Sequence, residues 1–150
     1  MITIYTDGAS SGNPGPGGYG TILLYKNHKK ELSQGYRQTT NNRMELLAVI
    51  KGLEALKGTG HQVTVYSDSK YVVDSVEKAW IWNWQTKGFK GKKNVDLWKL
   101  FIPLYQKHQV KFKWVKGHYG NPLNERCDEL AVNASQSPEL LIDHGFESKA

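Results

Sequence analysis

The chain has 150 residues, 39% hydrophobic and 23% charged, which suits one packed core and excludes wholesale disorder. Lys and Arg total 20 against 14 Asp and Glu, a net charge of +6 that favours an acidic partner, nucleic acid before an anionic membrane surface. A single cysteine, Cys127, excludes an internal disulfide and a Cys-rich zinc site. No apolar run approaches the ~20 residues of a membrane span. Residues 1–7 show no basic and apolar leader pattern, so a soluble cytoplasmic protein is expected.

In chain order, Ile2, Ile4 and the β-favouring Thr3, Tyr5 and Thr6 predict a strand that stops at Asp7-Gly8. Residues 12–18 form a Gly/Pro-rich loop. Strands over 19–25 and 31–37, joined by a polar turn, complete an antiparallel meander. The period then changes. Over 42–57, Leu46, Val49, Ile50, Leu53 and Leu56 share one helical face, with Thr39, Thr40 and Asn41 offering cap chemistry and Gly58 a stop. A fourth strand over 62–67 ends at Asp68-Ser69, where a helix begins. A right-handed crossover would lay that strand parallel to the first. Trp80, Trp82 and Trp84 precede a basic loop over 87–94. A helix over 96–105 with Pro103 straining its last turn, a strictly alternating strand over 110–115 and a glycine-bearing loop over 116–122 follow. A last helix over 123–133 leads to a mobile tail after about residue 135, with one short helical turn near 138–142. The reading is one α/β domain over 1–150: a five-stranded mixed sheet, three strands antiparallel and two parallel, flanked by helices.

Four carboxylates stand out. Asp7 and Asp68 would emerge at one sheet edge if their strands lie parallel, where sites of open α/β sheets gather. At about 100° per residue, Glu45 lies roughly 40° from Val49 and 20° from Leu56 around its helix, so it borders the buried stripe. A carboxylate there must be paired, protonated or metal-bound. Asp128 sits beside the apolar stripe of the last helix. Taken singly, these are a turn, a cap, a buried ion pair to Arg43 or Lys70, and a first-turn acid. Brought together they repel unless a cation joins them. Oxygen ligands without His or Cys suit Mg²⁺, or Mn²⁺, better than Zn²⁺. A carboxylate-held metal pair on a basic surface suits phosphodiester hydrolysis.

The segments Tyr5-Thr-Asp-Gly-Ala9, Gly12-Asn-Pro-Gly-Pro-Gly-Gly-Tyr-Gly20, Thr39-Thr-Asn-Asn-Arg-Met-Glu-Leu46, Tyr66-Ser-Asp-Ser69, Lys93-Asn-Val-Asp-Leu-Trp98, Trp114-Val-Lys-Gly-His118 and Asn124-Glu-Arg-Cys-Asp-Glu-Leu-Ala131 resemble, in that order, bacterial type 1 ribonuclease H. The resemblance spans about residues 1–135. It implies an endoribonuclease that cuts the RNA strand of an RNA–DNA hybrid with two metal ions, leaving 5′-phosphate and 3′-hydroxyl ends; a monomer is the default, because no coiled-coil pattern or assembly signal appears in the sequence. It implies Asp7, Glu45, Asp68 and Asp128 as metal ligands, and His118 as a proton shuttle or product-release group. Glu45 and the backbone of Gly8 would meet 2′-hydroxyls, which spares DNA. Asn13, Asn41 and Asn42 would contact bases or backbone across the minor groove, with weak sequence preference. Thr40 and Arg43 resemble part of a phosphate pocket for the DNA strand. Lys70 stands where Gln is often found, and a lysine there could reach a phosphate. Trp80, Trp84, Lys87, Lys90, Lys92 and Lys93 resemble a basic protrusion that grips the DNA backbone, with at least one of the tryptophans packed on the core.

Two rivals carry different chemistry. Another nuclease or strand-transferase of the same superfamily is disfavoured because Glu45 lies between Asp7 and Asp68 in the chain and the histidine loop is present. A hybrid-binding module without chemistry would lack at least one of the four carboxylates.

Overall fold

The computed structural model describes residues 1–116 and 120–148. Strand β1 (Ile2–Ser10) pairs antiparallel with β2 (Gly15–Tyr25), and β2 pairs antiparallel with β3 (His28–Thr39). Helix α1 (Asn41–Glu54) crosses to β4 (Gln62–Ser67), which lies parallel to β1. Three helices follow: α2 (Lys70–Glu77), α3 (Trp80–Thr86) and α4 (Val95–Gln106). Strand β5 (Gln109–Trp114) then joins parallel to β4, so the sheet order is β3-β2-β1-β4-β5. Helices α5 (Pro122–Ser135) and α6 (His144–Glu147) end the chain. No described helix is long and apolar enough to cross a membrane.

Two adjacent residues of β2 show how the layers form. The Thr21 hydroxyl donates to the Ala48 carbonyl of α1 at 2.7 Å. A Cβ on Gly20 would instead collide with the Cys127 carbonyl of α5. Successive strand residues point to opposite faces, so α1 and α5 clasp the meander from opposite sides. Glycine at 20 is what lets the α5 backbone come so close. On the α1 side, Ile4, Val65 and Phe112 of the sheet pack with Val49, Ile50, Trp98 and Phe101 in one core. Trp98 meets Phe101 edge-on at 5.4 Å, an arrangement aromatic quadrupoles favour.

Several local expectations change. Strand β2 begins at Gly15, inside the stretch read as a loop, and β3 spans His28–Thr39 rather than 31–37, because the two pair with each other along that length. Strand β1 does not stop at Asp7-Gly8. It runs on to Ser10 because β2 supplies a partner at every step, Asp7 opposite Gly20 and Gly8 opposite Tyr19. Ladder hydrogen bonds outweigh the turn preference of the Asp-Gly pair. Helix α1 ends at Glu54 rather than 57, and Leu56 closes it with a bond to the Leu53 carbonyl. Beyond Ser135 the chain does not hang free, and there is no helical turn at 138–142. Leu141 bridges to Tyr36 beside edge strand β3, where Arg37 N–H donates to the Leu141 carbonyl at 2.9 Å and Leu141 N–H donates to the Gly35 carbonyl at 3.0 Å. An edge strand has unpaired backbone groups, and this segment takes some of them up. The short helix lies later, at His144–Glu147.

Candidate active site

Tyr5 of β1 stands opposite Tyr66 of β4 in parallel register. Two residues further on, Asp7 and Asp68 therefore come out side by side. Glu45 reaches them from α1. A Cβ at Gly8 would strike the Glu45 backbone nitrogen and the Met44 carbonyl carbon, so only glycine lets α1 press against β1 there. One carboxylate oxygen each from Asp7, Glu45 and Asp68 lie within 4.8 Å of one another. The Gly8 N–H donates to Asp7 Oδ1 at 2.9 Å and to Glu45 Oε1 at 3.1 Å, fixing both side chains from one backbone group. Asp7 is 2% exposed and Glu45 4%.

Burial, then the charges of Asp68 and Asp128, push the Asp7 carboxyl up to about 8, against the lowering effect of its contacts to Glu45 and Gly8. Burial and the neighbouring charges of Asp7 and Asp68 raise Glu45 well above the ordinary carboxylate range. Glu45 Oε2 is buried with no hydrogen-bond partner among the described residues, a costly state for a carboxylate oxygen. An oxygen-only donor set, a buried oxygen without a donor and three crowded acids fit a hard divalent cation. Asp128, half-buried on α5, is outside the 4.8 Å group, although its charge acts on Asp7. His118 lies outside the described residues.

A second set of candidates gathers at the N-terminus of α1. There a cleft of about 870 Å³ is lined by Asn13, Thr40, Asn42, Lys92 and Lys93, among others. Thr40 caps α1 by accepting from Arg43 N–H, and Asn13 Oδ1 accepts from Asn41 N–H at 3.1 Å. Asn41 and Asn42 side chains remain exposed. Arg43 departs from its expected role. It is 2% exposed, and all five of its guanidinium N–H groups are engaged, by Asp143, Asp96 and Asn94. Burial lowers its pKa and the two carboxylates more than reverse that. No donor is left for a phosphate, so Arg43 anchors the C-terminal segment and α4 to α1 instead.

Lys87, Lys90, Lys92 and Lys93 are all exposed on a loop tied down by buried Phe89. Trp84 packs edge-on against Trp98 at 6.0 Å, with the Lys92 ammonium 4.9 Å from its ring centre. Trp80 is 44% exposed. Lys70 is exposed and lies over Trp114. Two residues escaped the sequence reading. Trp114 donates its indole N–H to the Asp68 carbonyl at 3.2 Å. Asn124 is fully buried, and neither amide atom has a hydrogen-bond partner among the described residues. It stands four residues before Asp128, on the stripe that includes Cys127 and Ala131. Helical arithmetic from Cys127 and Ala131 would have placed it there.

The RNase H family model matches residues 1–136. Ribonuclease H of Desulforamulus reducens is 57% identical over 147 residues, covering 95% of this chain and 92% of that protein. Ribonuclease HI of a Synechocystis species is 50% identical over 151 residues, covering 97% and 94%. Among solved structures, LC9-RNase H1, described as a type 1 RNase H with the type 2 active-site motif, superposes with a TM-score of 0.83 at 32% identity, covering 99% of this chain and 80% of that one. LC11-RNase H1, solved in complex with an RNA/DNA hybrid, gives a TM-score of 0.71 at 26% identity, covering 91% and 97%.

Proposed function

The chain belongs to the ribonuclease H family, and from that premise we propose how it hydrolyses the RNA strand of RNA–DNA hybrids. Three carboxylates, from β1, from α1 and from the turn after β4, gathered within 4.8 Å, carry the reading. Asp7, Glu45 and Asp68, with Asp128, would hold the divalent cations, Mg²⁺ first and Mn²⁺ as the alternative, two of them when substrate is bound. Bound there, such ions supply an activated water and stabilise the charge on the leaving oxygen, giving 5′-phosphate and 3′-hydroxyl ends.

The chain supplies everything else. Gly8 N–H holds Asp7 and Glu45 in one orientation, so their geometry does not depend on side-chain rotamers finding each other in solvent. Glu45 would accept from a 2′-hydroxyl beside the cut, which makes ribose the requirement and spares DNA. His118 takes the proton-shuttling role. Asn13, Asn41 and Asn42 reach the minor groove, and Thr40 with Lys92 and Lys93 receives DNA-strand phosphates in the cleft at the N-terminus of α1. Lys87 and Lys90 extend that grip, with Trp80, exposed at the start of α3, adding a contact of its own. The protein works as a cytoplasmic monomer, one domain with the segment after residue 135 closing over α1.

The test is cleavage of a labelled hybrid with and without Mg²⁺, against single-stranded RNA, duplex RNA and duplex DNA. RNA cut only in the hybrid, only with the cation, and not by Asp7→Asn is the expected result. Joining of DNA ends, or hybrid binding with no cleavage, would replace this reading.

A further inference from the structure

Val63 and Val65 of β4, and Val110 and Phe112 of β5, point into the core, where the Phe112 ring meets Phe101 of α4 at 6.1 Å. Thr64, Tyr66, Lys111 and Lys113 alternate with them and so point to the opposite face. Strand register extends that face in two rows, Thr3–Thr64–Lys111 and Tyr5–Tyr66–Lys113. Parallel strands are normally covered on both sides. Here α2 and α4 pack on β4 and β5 from the core side, whereas α5 lies over β1, β2 and β3. The two lysines are exposed, and the other four residues of the rows partly so. Beside α5 this leaves a ledge two strands, or about 10 Å, wide.

The ledge is ordered and positively charged. Tyr5 and Tyr66 stack with ring centres 4.7 Å apart and planes within 8°. That separation equals the strand spacing, so both rings stand upright with their hydroxyls outward. The Lys113 ammonium lies 6.0 Å from the Tyr66 ring centre, which limits its freedom without neutralising it. Among the described residues no carboxylate forms an ion pair with Lys111 or Lys113. The two lysines are about 6.6 Å apart along β5, an interval that successive phosphates of an extended nucleic-acid strand can match. Charge on an edge strand also guards against stray pairing, but a guard needs no alignment with upright tyrosines on the neighbouring strands. Asp7 follows Tyr5 by two residues on the same face of β1, and Asp68 follows Tyr66 by two. The ledge therefore starts where the carboxylate group ends.

We propose that this ledge binds the sugar–phosphate backbone of an unpaired extension of the hybrid's RNA strand, on one side of the cut. Charge selects a polyanion. Width selects one strand rather than a duplex. Continuity with the carboxylate group selects the strand that is cut. Hydroxyls and ammoniums in rows meet phosphates without reading bases, so the contact carries no sequence preference. This contact deepens the hybrid-cleaving reading and rests on it: hybrids with a free RNA end become better substrates than blunt ones.

The test compares a blunt hybrid with hybrids whose RNA strand carries an unpaired extension of about six nucleotides at one end or the other. At one end the extension lowers KM about three-fold, leaves kcat within about two-fold and steepens log KM in log salt by about 1.4, the share of two single-strand phosphate contacts. At the other end it changes nothing. In the Lys111→Gln, Lys113→Gln double variant the advantage and the added slope vanish, while the blunt hybrid is cut as before. The corresponding double Arg variant keeps both. If the double Gln variant does not fold, Lys113→Gln alone halves the added slope. An advantage that is absent, survives in the double Gln variant, appears equally at both ends or is matched by an extension of the DNA strand would overturn the assignment. Failure of the unaltered protein to cut the blunt hybrid would instead sink the nuclease reading. Fluorescence anisotropy of the labelled extension alone, with weaker binding to the double Gln variant expected and equal binding counting against the ledge, keeps the two failures distinguishable.

Discussion

The Gly8 N–H serves two carboxylates at once, while burial and the neighbouring negative charges set the electrostatics at the scale of single residues. With no cation, the folded protein keeps a proton on Asp7 up to about pH 8, while the unfolded chain gives it up near 3.8. The folded state binds more protons across that window, so stability falls as pH rises from about 4 through 8. Urea titrations in chelator should show that decline, and saturating Mg²⁺ should flatten it by replacing the proton. A chelated protein whose stability rises over this interval would contradict the assignment. Neutralising one acid has the same logic. Asp7→Asn should lower cleavage by at least about 10³-fold and raise chelator-state stability by about 1–2 kcal/mol. Calorimetry would read that as an increase of a few degrees in Tm.

Between elements, the decisive joint is the one around Arg43. Its guanidinium ties α1 to Asp96 of α4 and to Asp143 just before α6. Thr39 adds a hydroxyl bond to Asp143 at 2.6 Å, and Arg37 pairs with Glu147 at 2.9 Å on the surface. The buried part matters most, because removing one partner strands the others without compensation. Arg43→Met should cost about 3 kcal/mol in urea unfolding. The exposed pair is a different case, and Arg37→Met should leave the urea midpoint nearly unchanged. Equal effects from the two variants would show that the C-terminal segment is held by its surface contacts instead.

For the whole molecule, the net charge of +6 has a location. Lys87, Lys90, Lys92 and Lys93 are exposed on one loop. Replacing all four with Ala should raise KM for hybrid at least about ten-fold and make its salt dependence shallower by about 3, with kcat within about two-fold. A kcat loss larger than the KM change would mean that the loop positions the reacting linkage rather than merely holding DNA. Hydrophobic period and turn chemistry had already indicated the meander, the crossover helix and the basic loop. They could not indicate that β1 continues past Asp7, because that depends on β2 supplying Gly17 to Gly20 as partners. Nor could they indicate that Arg43 is consumed by Asp96 and Asp143, which lie 53 and 100 residues away in the chain.

What the amino-acid order determined by itself was local: which segments form strands or helices, and which acids sit on or beside buried faces. Glu45 was legible because helical geometry is fixed at short range. Tertiary structure alone decided proximity. Three acids at positions 7, 45 and 68 converge because β1 and β4 lie in parallel register and a missing Cβ at Gly8 admits α1. The same long-range packing left Asp128 outside that group, buried Asn124 one helical turn before Asp128 and laid Lys70 on Trp114. Sequence patterns report what each residue does to its own backbone, whereas distances between remote side chains depend on how whole layers settle against one another.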